Sequence, residues 1–100
     1  MSAHKHTPGE WHVGGPHKCT IYDKFGQRLA NSFEGVMAAQ RTDSECAANA
    51  RLIAAAPELL EALEPFAHAT LTHTGQVIGL TREDFERALA AIAKATGEPA

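Results

Sequence analysis

The stretch ANARLIAAAPELLEAL, Ala48 to Leu63, constrains the fold of this chain more than any other. Its residues are strong helix formers, so helix must run through it. Pro57 opposes that, because proline lacks the N–H that would bond the carbonyl of Ile53 and its ring clashes there. In a helix interior the cost is about 3 kcal/mol. Yet the apolar pattern keeps its phase across the proline: Leu52 and Ile53 recur seven residues on as Leu59 and Leu60, and Leu63 and Phe66 continue the row. Each well-buried leucine returns roughly 1.5–3 kcal/mol, so four on one face outweigh one kink. The spacing predicts a helix over about 43–68, bent near Pro57. The close alternative is two helices meeting at a tight corner, with Pro57 in the first turn of the second. Pro65 ends or bends the segment again.

One hundred residues are enough for one domain with a modest core. Aromatic residues make up only 6% of the chain and alanine dominates the second half, so the core gains little area per side chain. Small residues let helices approach closely, and a homo-oligomer, a dimer above all, can supply the missing burial. The formal charge is −3 with nine scattered basic residues, which disfavours a phosphate-binding face and makes nucleic acid an unfavoured partner. No apolar run approaches a membrane span in length, so no membrane partner is expected. The polar start MSAHKHTPGE reads as no export signal, and Cys19 and Cys46 read as reduced thiols in a cytosol.

From Trp11 to Ser32 the pattern is that of strands. WHV is a short extended piece stopped by Gly14 to Pro16. KCTIYD and QRLANS flank DKFG, where the Asp23 side chain suits a type I turn and Gly26 a positive φ. A β-hairpin follows, with Cys19, Ile21 and Asp23 on one face, Thr20 and Tyr22 on the other, and Leu29 the clearest inward residue of the return strand. Trp11 is expected to lid this hairpin against the helices. FEGVMAAQR, residues 33–41, reads as a loop or a short third strand.

Thr42 with Glu45, and Thr81 with Asp84, carry the spacing of capping boxes. The second opens an amphipathic helix over 82–96, with Phe85, Ala88, Leu89, Ile92 and Ala95 on one face and Arg82, Glu86 and Lys94 outward. Gly97 stops it. Residues 69–80 fit a small hairpin or a connecting loop equally well. The fold expected is α+β: an N-terminal antiparallel hairpin or small sheet packed on two or three C-terminal helices. It spans a single domain over 9–97 behind a flexible lead-in of residues 1–8.

Asn49 borders the buried stripe, and a buried amide must find partners. Its ordinary role would be a bond locking the sheet onto the helix, and its functional role a polar contact in a pocket or seam. Arg51 is expected to point outward, toward Glu45 or Ser44. His17 and Cys19 share a strand face, but no further ligand spacing supports a metal site and no orienting group supports a cysteine nucleophile. No glycine-rich phosphate loop is present, and no cofactor is expected.

The strings TPGEW (Thr7 to Trp11), IYDKFGQRLA and ANARLIAAAPELLEAL resemble a family of small proteins from tailed phages and prophages. That family has a TPGPW-like start and a helix like the one at Ala48 to Leu63. The resemblance covers roughly residues 7–63 and departs from the pattern at Glu10 and at Pro65. It implies a phage or prophage gene acting in the bacterial host cytosol, and it supplies an origin rather than a mechanism.

The function expected is that of a non-catalytic accessory protein working by protein–protein binding, as an inhibitor of a host or defence protein. The alternative is a binder of a small nucleotide-type ligand, with Trp11 and Tyr22 stacking and Arg28 or Arg51 neutralising it. Trp11, Tyr22, Arg28, Asn49 and Arg51 are the candidate contact residues. A nucleic-acid-associated early phage protein is the weaker reading.

Overall fold

The chain alternates strand and helix in two blocks, and the computed structural model describes residues 5–33 and 41–98. Strand β1 (His12–Gly14) leads through a 3-10 turn at Pro16–Lys18 into β2 (Thr20–Tyr22) and β3 (Arg28–Asn31). Helices α1 (Asp43–Ala54) and α2 (Ala56–His68) follow, then a ribbon of β4 (Thr70–Leu71) and β5 (Val77–Ile78), then α3 (Arg82–Thr96). The three-stranded sheet is antiparallel in the order β1-β2-β3. The fold is therefore the α+β arrangement expected, with three helices.

The hairpin turn forms as its residues dictate. Asp23 Oδ1 accepts from the backbone N–H of Phe25 and of Gln27, both at 2.9 Å, and Gly26 takes φ 83°. The register pairs Ile21 with Ala30 and slips by a bulge between Ile21 and Tyr22. β1 adds to the other side of β2, Val13 opposite Ile21. This makes β2 the central strand, and Ile21 is fully buried. Thr20, expected on the open face, is buried too, because its Oγ1 accepts from Asn31 Nδ2 at 3.0 Å. Leu29 is 37% exposed and not inward: α1 packs beneath β1 and β2, leaving β3 as an edge.

At Pro57 the chain takes the corner rather than the bent continuous helix. Ala55 (φ −86°, ψ −2°) alone separates α1 from α2, and Pro57 falls in the first turn of α2. Pro65 lies inside α2 without ending it, and residues 69–80 form the hairpin. Thr42 Oγ1 accepts from Glu45 N at 3.0 Å, the hydroxyl half of a capping box. At Thr81 both halves are present: Asp84 N donates to Thr81 Oγ1 at 3.2 Å and Thr81 N to Asp84 Oδ2 at 2.8 Å.

Alanine, not leucine, forms the internal helix contacts. Cys46, Ala50 and Ala54 of α1 are buried, as are Pro57 and Ala62 of α2 and Ala91 and Ala95 of α3. Ile21, Ala50 and Ala54 make the core cluster, with Trp11 and Val13 packed against it. The stripe expected inside is exposed: Leu52, Ile53, Leu60, Leu63 and Phe66 all keep substantial surface, as do Phe85, Leu89 and Ile92. Two adjacent apolar stripes run along these helices, and close approach of backbones selects the smaller one.

Residues 34–40 lie outside the described residues, and with them the reading of 33–41 as loop or strand; so do residues 1–4 of the expected lead-in. Of its remainder, His6 packs edge-on against Trp11 at 5.8 Å, and Thr7 O accepts from Trp11 Nε1 at 3.0 Å.

Candidate functional site

The antiparallel pair α2–α3 is fixed at both ends. Near one end the rings of Phe66 and Phe85 meet edge to face at 5.9 Å. At the other, Lys94 Nζ donates to Glu58 Oε1 at 2.6 Å and to Trp11 O at 2.9 Å. Lys94 is thus half-buried and turned inward, where the helical pattern had placed it outward. One ammonium ties together the chain ahead of β1, α2 and α3. The anchor works because the flexible stem reaches across the small alanine face while the charge finds a carboxylate and a carbonyl.

With the helices so clamped, their large side chains are left on the outside. Leu63 is 64% exposed, Leu89 57% and Phe85 53%, and Phe66 and Ile92 stand beside them. The Phe66–Phe85 contact joins the two helices' apolar rows into one face. The β4–β5 ribbon extends it, with Leu71 opposite Val77 and both exposed. Contiguous apolar surface of this kind, rimmed by charged residues, marks an interaction site. Its signal in the sequence was the doubling of the stripe: Ala88, Ala91 and Ala95 run beside Phe85, Leu89 and Ile92.

The five residues singled out from the sequence do not converge. Trp11 is half-buried against the sheet–helix core. Tyr22 stacks on His12 at 5.6 Å. Arg28 lines an open cleft of about 350 Å³ with His17, Thr20, Asn31, Phe33 and Asp43. Asn49 is exposed and lines a shallower groove with Ser32, Arg41, Leu52 and Ile53. The clamp from sheet to helix is Ser32 instead, whose Oγ donates to Cys46 O at 2.7 Å and lies 3.3 Å from Cys19 O. Arg51 is half-buried rather than outward, packed on the end of α3 so closely that a Cβ at Gly97 would lie 2.8 Å from its Nε. A guanidinium there meets the negative end of the α3 dipole.

The 3-10 turn that borders the Arg28 cleft carries two non-glycine residues at positive φ, His17 (61°) and Lys18 (56°). His17 Nδ1 lies 3.8 Å from Asp43 Oδ2, with both side chains well exposed. Cys19 and Cys46 are buried neighbours. Burial, reinforced by Cys19, pushes the Cys46 thiol above its ordinary value, which keeps it protonated and a poor nucleophile at neutral pH. Among the described residues no three His, Cys, Asp or Glu side chains converge as a metal-ligand set, and no helix is long and apolar enough to cross a membrane.

Sheet, helices and bare face together define a small α+β protein whose helical layer buries alanine and presents leucine and phenylalanine. The chain belongs to the family of Salmonella phage P22 protein Y8K6, whose family model matches residues 1–99. The match takes in the segment beyond Phe66, past the motifs that carried the resemblance. No curated protein and no solved structure matches the chain.

Proposed function

We propose that this phage-family protein is a non-catalytic accessory protein that works by protein–protein contact, and that the apolar α2–α3 face is the contact surface. The observation that carries the reading is the joint exposure of Leu63, Phe66, Phe85, Leu89 and Ile92 on two helices already clamped to each other. A buried cluster of this size would be a core; exposed, it needs a cover. The phage family supports a site of action in the bacterial host cytosol, with a host or defence protein as the class of target. Leu63→Glu with Leu89→Glu tests the reading. Capture of a specific host protein by the wild type, lost in this double variant and kept in Leu52→Glu, is the expected result. Equal capture by all three, or none by any at any concentration together with a self-association-free wild type, would overturn it.

A second reading rests on the cleft at Arg28. Its hairpin, 3-10 turn and α1 walls offer a guanidinium, an amide and an imidazole to a small anionic ligand of nucleotide type. Trp11 and Tyr22 do not line it. A thermal-shift panel of nucleotides, with stabilisation lost in Arg28→Ala, separates this reading from the first.

A further inference from the structure

Resting on the contact reading above, we infer that the occupant of the α2–α3 face is the same face of a second copy of this chain. The product is a two-fold dimer in which four helices share one apolar layer.

Three observations select a second copy over a transient partner. First, the chain's own core is incomplete. Ile21 and Cys46 are the largest fully buried side chains, and the rest of the core is mainly alanine. A domain of this size with so small a core needs oligomerisation or another staple, and it needs it from the moment of folding. A host target present only during infection does not meet that need, whereas every newly made chain meets another copy.

Second, the area fits. The chain exposes 7214 Å², against roughly 5,500 Å² for a compact monomer of 10.7 kDa. Its radius of gyration is 16.3 Å, where about 13 Å is expected for 100 residues. Half of the excess surface would match the roughly 800 Å² per partner of a standard interface.

Third, the face is suited to self-pairing. Two antiparallel helices with leucine and phenylalanine at i, i+3, i+4 and i+7 spacing are half of a four-helix bundle. A two-fold axis across the face sets α2 of one copy against α3 of the other. α2 carries Glu58, Glu61 and Glu64 and no lysine or arginine, while α3 contributes Arg82, Arg87 and Lys94, so the crossing opposes no like-charged helix pair. The β4–β5 ribbon gains as well. Strands of two residues, with Leu71, Val77 and Ile78 exposed, are marginal alone and persist when covered.

Sedimentation equilibrium of the full chain over a wide concentration range tests the inference. The wild type and Leu52→Glu should both sediment at twice the 10.7 kDa chain mass, and Leu63→Glu with Leu89→Glu at the single chain mass. Since that double variant can lose its fold along with its partner, the wild type is examined alone by isotope-filtered NMR of mixed labelled and unlabelled chains. Intermolecular contacts at the methyls of Leu63, Leu89 and Ile92 support the dimer. A wild type at the single chain mass at every concentration, or a dimer whose contacts lie elsewhere, overturns it. In the monomeric case, an apolar dye bound at Leu63 and Leu89 leaves the contact reading standing, and the absence of dye binding removes both.

Discussion

The sheet-and-α1 half of the molecule and the α2–α3 half use the same residue types in opposite ways. In the first, the large side chain Ile21 sits beneath α1, and Ala50 and Ala54 rise to meet it. In the second, alanine faces inward again, but the leucines and phenylalanines that should complete a core lie on the outer surface. The first half is closed by its own chain. The second half is closed only on its alanine side, so its remaining stability must come from whatever covers the other. Amphipathicity therefore says that a helix has a face to bury, while backbone approach decides which face the chain itself can bury.

The sharpest way to break this contrast is a matched pair of truncations. Ile21→Ala should cost about 3 kcal/mol, read as a lower urea midpoint at every protein concentration. Leu63→Ala should leave the midpoint nearly unchanged in dilute solution and lower it only where wild-type chains associate. A second test enlarges the alanine side. Ala91→Leu should destabilise by about 2 kcal/mol through overpacking, because Ala91 is buried where α3 packs on its neighbours. If Ala91→Leu were neutral and Leu63→Ala costly when dilute, the two faces would have been assigned the wrong way round.

Smaller effects sharpen the join between the halves. Ser32→Ala removes the hydroxyl that donates to Cys46 O and should cost about 1 kcal/mol, detected in the same urea titration. Cys46 should alkylate slowly in the native protein and quickly in urea, followed by mass spectrometry. The smallest effect is the pH dependence of α3. Bonds from the Thr81 N–H and hydroxyl, with Arg87 beside it, hold the Asp84 carboxyl below its ordinary value. A lowered folded-state value means that this cap contributes fully above the usual carboxylate range and is lost as pH falls through the lowered value. Acid titration followed by circular dichroism should show that loss in the wild type and not in Asp84→Asn.

Legibility followed the range of the interactions. The Asp23–Gly26 turn, the Thr81–Asp84 box and the Gly97 stop, with φ 73°, are set by neighbours in sequence, and each was readable there. Pro57 admitted a bend or a corner, and the structure takes the corner because one residue, Ala55, can absorb the break while Pro57 occupies a first-turn position that needs no N–H. Lys94 and Arg51 were misplaced because their partners, Glu58 and Trp11 O for one and the end of α3 for the other, lie far along the chain. Asn49 lost the clamp role to Ser32, whose hydroxyl reaches two carbonyls from the sheet's end. The contact face was hidden by the usual preference for burying leucine. With two apolar stripes side by side, the sequence does not say which one the chain covers by itself.

The central claim, that the large apolar side chains of α2 and α3 are a contact surface and not core, is tested most directly by solvent paramagnetic relaxation at methyl groups. Ile21 should be protected at all concentrations. The methyls of Leu63, Leu89 and Ile92 should be fully accessible in dilute protein and become protected as the concentration rises. Protection of all four at the lowest concentration at which the chain is monomeric would place the leucines in its own core and contradict the account.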